Sequence, residues 1–298
     1  MGSGSFDTAS YRSYASSTAH QSRDERFQST STHSDLNPRK LTNGVRESRD
    51  GDDHPNSTPI IVGLDVTGSM GMIAEEIAKE GLGRLVNGIL ETQPVSDPQL
   101  LFAGIGDTAC DRSPFQVTQF ESDNRMVNQL TKLYLEGGGG GNDTESYDLA
   151  WYFAAMHTVS DSFTKRNQKG YVFTIGDELF PRGLSVEEVR SLFGTGESGM
   201  SATASLAAAS EKYNVFHLMV EQGHYFRRAG PVADDRSHRV VASWREHMGK
   251  RAILVDDYTK IPEVITAVIR VNEGEDPETV LSEYSGSTKD TVYRALFS

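Results

Sequence analysis

The sequence predicts an α/β fold: a doubly wound, mostly parallel sheet with helices on both faces and one antiparallel edge strand. Three observations carry this. Short continuous apolar runs recur at 59–64, 100–105, 171–175, 215–220 and 252–255, as strands buried on both faces require. Stretches with apolar residues at helical spacing separate most of them. One further run, 115–120, alternates apolar and polar residues instead, the pattern of a half-exposed edge strand.

Taken in order, Pro59-Ile-Ile-Val-Gly-Leu64 is the first buried strand, followed at once by Asp65-Val-Thr-Gly-Ser69. From Met70 to Thr92 a helical segment carries Ile73, Ile77, Leu85 and Ile89, with Glu75 and Glu76 on a solvated face. Leu100–Ile105 is the second buried strand and Phe115–Phe120 the edge strand. Residues 123–135 form a helix through Met126, Val127, Leu130 and Leu133, which the five glycines 137–141 end. Asp143 or Thr144 then caps a helix running from Glu145 to about Ser160. The third buried strand, Tyr171–Ile175, stops at Gly176-Asp177. Helices over 185–193 and 201–213, with a loop at 194–199 between them, lead to the strand Val215–Val220. A helix over 236–248, the strand Ala252–Val255 and a helix from Ile261 to Val271 complete the core.

Composition divides the chain. Residues 1–57 hold seventeen Ser or Thr but only six of Leu, Val, Met and Phe, too little apolar surface to offset the entropy of ordering them, which predicts a flexible tail. Residues 58–271 are long enough for one core, and 272–298 form an extension, acidic at first, then amphipathic from Asp290 to Phe297. That extension packs on the domain or docks elsewhere; its pattern does not choose.

The chain of 298 residues has a net charge of −13, and 34 acidic against 22 basic residues fall in 58–298. Such a surface disfavours a nucleic-acid partner. No apolar run spans a membrane, no secretory signal begins the chain, and its one cysteine, Cys110, cannot form an internal disulfide, so a reducing, cytoplasmic setting is expected. Gly104-Ile-Gly-Asp-Thr-Ala109 fits a dinucleotide-binding spacing, but no helix follows; it reads as a tight turn between antiparallel strands. The glycines 137–141 lack the Gly-Lys-Ser/Thr of a phosphate loop. His217, inside an apolar strand, reads as a packed core residue.

In open parallel sheets, ligands bind outside the carboxyl ends of the strands, where the strand order reverses. Three such ends carry oxygen donors: Asp65, Thr67 and Ser69 after the first strand; Asn142-Asp143-Thr144 after the glycines; and Asp177 after the third buried strand. Each alone could be a turn or a helix cap. Together they form a hard oxygen set suited to Mg²⁺, Mn²⁺ or Ca²⁺ rather than zinc. With hydroxyls in place of several carboxylates, the ion keeps positive charge and reaches for an outside carboxylate.

Asp65-Val-Thr-Gly-Ser-Met70 after a buried strand resembles the metal-ion-dependent adhesion site (MIDAS) of von Willebrand factor A (VWA) domains, whose pattern is Asp-x-Ser-x-Ser, with a Thr in a second loop and an Asp in a third. The resemblance covers roughly 58–271. It puts Asp65, Thr67 (for the first Ser) and Ser69 on the first loop and Asp177 on the third. Thr144 stands for the second-loop Thr, with Asp143 or Asn142 as alternatives, and Asp107 borders the metal face. The resemblance implies a Rossmann-like domain that holds Mg²⁺ (or Mn²⁺ or Ca²⁺) and binds a protein partner's Asp or Glu through it, without being an enzyme. Intracellular bacterial members of that family work beside AAA+ ATPases or in multi-protein assemblies, so an ATPase or assembly subunit is the expected partner. The alternatives are a scaffolding subunit of a bacterial or phage assembly and a metal-dependent hydrolase. The latter would need Asp107 or Glu178 as base, and neither sits in a recognisable motif.

Overall fold

Residues 29–77, 81–123, 125–135, 144–194, 196, 198–227 and 233–298 are described by the computed structural model. Three single-turn helices between Ser34 and Gly44 lead into β1 (Arg46–Ser48) and β2 (Thr58–Asp65). There follow α1 (Met72–Glu76), α2 (Leu82–Thr92), β3 (Pro98–Ile105), β4 (Phe115–Val117) and α3 (Arg125–Leu130). The middle of the chain forms α4 (Asp148–Met156), β5 (Thr158–Ser160), α5 (Asp161–Arg166), β6 (Gly170–Gly176), α6 (Val186–Phe193) and α7 (Ala202–Lys212). Then come β7 (Tyr213–Val220), α8 (His224–Arg227), α9 (Ala233–Met248), β8 (Ala252–Val255), α10 (Ile261–Asn272), α11 (Pro277–Ser282) and α12 (Gly286–Phe297).

The main sheet has the order β4-β3-β2-β6-β7-β8, parallel throughout except for β4, which runs antiparallel to β3. This is the doubly wound α/β architecture expected. Period-two alternation divides the strand side chains between two cores. Ile60, Val62, Leu64, Phe173 and Ile175 pack towards α2 and α10, whereas Ile61, Leu101, Ala103, Val172 and Met219 pack towards α4, α7 and α9. The chain enters at β2, moves outward through β3 and β4, and returns to β6 on the other side of β2. The strand order therefore reverses between β2 and β6, and the ends of those strands carry Asp65 and Asp177.

Five expectations change. Phe115, Gln116 and Val117 of β4 are all buried, not half-exposed. The covering layer is residues 29–48, part of the segment 1–57 whose composition predicts a flexible tail; residues 1–28 lie outside the described residues. Leu36 is fully buried, and β1 pairs in parallel with β5 to form a second small sheet. The Arg46 guanidinium Nη2 donates to the carbonyls of Asp35 (2.9 Å) and Val117 (3.3 Å), so the edge of β4 meets protein instead of solvent. Burial lowers the Arg46 pKa to about 10. A few well-placed contacts thus order a segment that average composition marks as too polar.

The helix expected from Glu145 to about Ser160 is shorter: α4 starts at Asp148, its N-cap Tyr147 makes no side-chain capping bond, and 158–160 are strand β5. Residues 144–146 stay out of the helix because the Ser146 N–H donates to the Gly106 carbonyl (3.3 Å) in the turn after β3. The segment 70–92 carries two helices, α1 and α2, on either side of residues 78–80, which lie outside the described residues. In the 123–135 segment only 125–130 are helical.

The extension packs on the domain. Val280, Leu281 and Val292 are buried, Arg270 forks onto Glu275 and Glu283, and Thr291 and Arg294 bond the Asp256 carboxylate beyond β8. Among the described residues no helix is long and apolar enough to cross a membrane.

Replacing Leu36 by Ala should cost about 2–5 kcal/mol in urea denaturation, as for a buried core leucine. A flexible tail would show a change within about 0.5 kcal/mol.

Candidate metal centre

Asp65 is the last residue of β2, and the chain turns sharply after it. Its Oδ1 accepts from the Thr67 backbone N–H (2.9 Å) and from the Thr67 hydroxyl (2.6 Å), a local Asp turn that fixes both side chains. The Thr67 and Ser69 hydroxyl oxygens lie 3.2 Å apart, and Ser69 donates to Asp177 Oδ1 (2.8 Å). Asp65, Thr67, Ser69 and Asp177 are therefore one continuous chain of oxygens across the switch point. Asp65 and Asp177 have no exposed surface and Thr67 is 1% exposed.

Two helices close this loop cluster from the sides. Tyr147, before α4, donates its hydroxyl to Asp65 Oδ2 (2.8 Å). At α8, the Tyr225 N–H donates to Asp177 Oδ2 (2.8 Å) and the His224 N–H to the Ser69 carbonyl (2.9 Å). Both approaches depend on glycine: a Cβ on Gly176 would collide with the Tyr147 ring and hydroxyl, and one on Gly223 with the Asp177 carboxylate.

The donors around these carboxylates are neutral. Among the described residues no lysine, arginine or histidine forms an ion pair with Asp65, Asp177 or Glu145. Burial, then the negative charge of Asp177, pushes the Asp65 carboxyl above the ordinary carboxylate range. Burial likewise raises Asp177 against the hydrogen bonds from Ser69 and the Tyr225 backbone. Glu145, 5% exposed, is also raised, by burial and by the nearby charges of Asp65, Glu178, Asp111 and Asp107. The arrangement lacks positive charge.

A hard divalent cation fits that deficit. Neighbouring ligand oxygens of an octahedral Mg²⁺ shell lie about 3 Å apart, given metal–oxygen distances of about 2.1 Å. The consecutive oxygen spacings from Asp65 Oδ1 to Asp177 Oδ1 are 2.6, 3.2 and 2.8 Å. Among the described residues no group of three or more His, Cys, Asp or Glu with metal-binding geometry occurs, so the hydroxyls are integral to such a site.

The structure brings Asp65, Thr67, Ser69 and Asp177 together. Thr144 is half-buried in the extended stretch before Tyr147, and no hydrogen bond joins it to that network. Asn142, Asp143 and the glycines 137–141 lie outside the described residues. Asp107 sits in the turn between the antiparallel β3 and β4, where its Oδ1 accepts from the Ala109 N–H (3.1 Å) and the Ser146 hydroxyl (3.5 Å). Tyr147 and Glu145 stand in no motif of the sequence. Gly176 beside Asp177 is the signal for Tyr147, since it marks a close approach; Glu145 carries only the pattern of a helix's first turn. His217 is a core residue, stacked on Trp244 (3.4 Å between centroids) and hydrogen-bonded to Thr174 (2.8 Å). Burial holds its pKa well below the ordinary histidine value. The exposed Cys110 thiol is pushed up to about 11, chiefly by Asp107, which leaves it a poor nucleophile at neutral pH.

Fold and site together define a doubly wound α/β domain with an oxygen-lined centre at its switch point. No protein-family model matches the chain, and no curated protein does. Among solved structures, the chain is similar to the pilus adhesin SpaC from Lactobacillus rhamnosus GG at 10% identity and a TM-score of 0.43, over 79% of this chain and 32% of the adhesin. It is also similar to a conserved hypothetical protein, BatB, from Bacteroides thetaiotaomicron, at 15% identity and a TM-score of 0.43, over 74% of this chain and 100% of that one. The pilus adhesin RrgA from Streptococcus pneumoniae matches at 9% identity and a TM-score of 0.36, over 75% of this chain and 45% of its own. The chain thus spans about a third of the SpaC adhesin's length, and likeness at these values concerns the fold alone.

A buried carboxyl with a raised pKa costs stability above its unfolded-state pKa, because the folded protein then holds the proton more tightly than the unfolded chain. In EDTA, Asp65→Asn should therefore be more stable than wild type at pH 7–8, by at least the ~1.4 kcal/mol that one pKa unit represents. The gap should close towards pH 4. Denaturation curves across that range test this, and a variant less stable than wild type at pH 8 would count against the charge deficit.

Proposed function

We propose that this chain is a divalent-cation-dependent protein-interaction module of the VWA type. The observation that carries the reading is a pair of fully buried carboxylates, Asp65 and Asp177, linked through Thr67 and Ser69 at the switch point with only neutral donors around them. In this reading Asp65 and Asp177 hold Mg²⁺, Mn²⁺ or Ca²⁺ and its waters, Thr67 and Ser69 coordinate, and Thr144 contributes from the second loop. The cation supplies a local positive charge that an Asp or Glu of a protein partner meets. An AAA+ ATPase or another subunit of a cytoplasmic assembly is the partner that the resemblance to VWA domains suggests.

We read the site as one for binding. Asp107, one of the two candidate bases, has its Oδ1 engaged by Ala109 and Ser146. Met72, the first residue of α1 and 73% exposed, follows the loop of Asp65 and Ser69 and offers a partner an apolar contact beside the cation.

Calorimetric titration with Mg²⁺ and Mn²⁺ tests the metal: wild type should give saturable heats that Asp65→Ala abolishes. Equal heats in the two proteins would sink the idea. Because residues 58–298 are acidic, a partner co-purified with wild type but not with Asp65→Ala should associate faster as salt is added, and not at all in EDTA. An association rate that falls with salt would contradict an acidic partner.

A further inference from the structure

We propose a second site at the other end of the sheet, where Ser122, His54 and Asp97 form a nucleophilic relay that cleaves small uncharged carboxylic esters. His54 Nε2 lies 3.2 Å from the Ser122 hydroxyl oxygen, and His54 Nδ1 lies 3.8 Å from Asp97 Oδ1. A hydroxyl within reach of an imidazole that a carboxylate in turn orients is the arrangement that activates serine as a nucleophile. Asp65 and Asp177 stand at the carboxyl ends of β2 and β6, whereas Asp97 directly precedes β3. The relay therefore shares no residue with the metal reading and does not depend on it.

Three segments build it at the start of β2 and β3. His54 closes a tight loop in which Gly51 and His54 exchange N–H to carbonyl bonds (3.0 and 3.1 Å). Asp97 adopts a left-handed backbone (φ 40°), and its turn is tied to that loop: the Asn56 N–H donates to Asp97 Oδ2 (2.8 Å) and the Thr58 N–H to the Asp97 carbonyl (3.1 Å). A residue other than glycine in that region needs its surroundings to hold it, and such residues gather at functional sites. Glu121 pairs with Leu100 of β3 through two backbone bonds (2.9 and 3.0 Å), which sets Ser122 beside the other two.

The Asp97 carboxylate favours the ring proton on Nδ1, which leaves Nε2 to accept from Ser122. As the Ser122 oxygen attacks an ester carbonyl, its proton passes to Nε2, and the imidazolium so formed sits at ion-pair distance from Asp97. Collapse of the adduct breaks the bond to the alcohol, which leaves with the proton from His54. Water, deprotonated by the same ring, then releases the acid and restores Ser122. Ser122 is 6% exposed, so a short acyl group reaches it where a bulky one does not. Glu121 and Asp123 flank it, both paired with Arg125 (2.9 Å), and with Asp97 they disfavour an anionic phosphoester.

Treating the full chain with a fluorophosphonate, in EDTA to keep the metal centre out of the reaction, tests the relay. The Ser122 oxygen should bond to phosphorus and expel fluoride, leaving an adduct that peptide mass spectrometry maps to Ser122. Hydrolysis of p-nitrophenyl acetate should fall at least about a hundredfold in kcat/KM in His54→Gln and in Ser122→Ala. Asp97 acts as a positioning residue, so Asp97→Asn should lower kcat and leave KM unchanged, which general damage to the fold would not do. An adduct on Ser122 that disappears in a His54→Gln protein of unchanged melting temperature supports the relay. No adduct on Ser122 in wild type, an adduct formed as fast in His54→Gln, or an Asp97→Asn protein as active as wild type would overturn it and leave the metal centre standing.

Discussion

Two carboxylates buried side by side at the ends of neighbouring parallel strands are the constraint to which the surrounding structure answers. Leu64 pairs with Ile175 in the β2–β6 ladder, so Asp65 and Asp177 leave the sheet next to one another. Strands lie about 4.8 Å apart, a spacing at which like charges in a low dielectric repel strongly. Every local device here supplies donors: the Thr67 turn, the Ser69 hydroxyl, the Tyr147 hydroxyl and the Tyr225 N–H. Neutral donors offset the loss of hydration but not the mutual repulsion, which only a proton or a cation removes. The carboxylate pair is thus held at a cost to the fold's own stability.

The parallel strands were legible because strands buried on both faces leave unbroken apolar runs, and β2, β3, β6, β7 and β8 all have them. Asp65, Thr67 and Ser69 were legible for a different reason: their geometry is made within five residues, by a turn that the Asp and Thr side chains build themselves. Asp177 followed from its place at a strand end. What escaped depends on distant contacts. Tyr147 matters only because α4 begins beside the end of β2, and Glu145 only because Ser146 ties its segment to the turn after β3. The burial of β4 comes from a segment some seventy residues earlier, through the turn at Pro38–Lys40 and the Arg46–Val117 bond. Composition averages over such a segment, and one buried leucine and one guanidinium are lost in the mean.

The same distant contacts give the site its coupling to the core. Tyr147 touches Asp65 with its hydroxyl, while its ring meets His217 and Trp244 edge-on, at 5.0 and 5.5 Å between centroids. Trp244 in turn donates its indole N–H to the Glu178 carbonyl (2.8 Å), next to Asp177. A closed path therefore runs from one carboxylate through an aromatic stack to the residue beside the other. Close-packed interiors transmit displacement because they have no slack to absorb it. A change of charge at Asp65 that lengthened its bond to Tyr147 would press on the ring stack, on α9 through Trp244, and so on the Glu178 backbone. On the other side, α8 is tied to both Ser69 and Asp177 by backbone N–H groups, so it moves with the first and third loops together. Any displacement of α8 or α9 is therefore felt at the carboxylate pair.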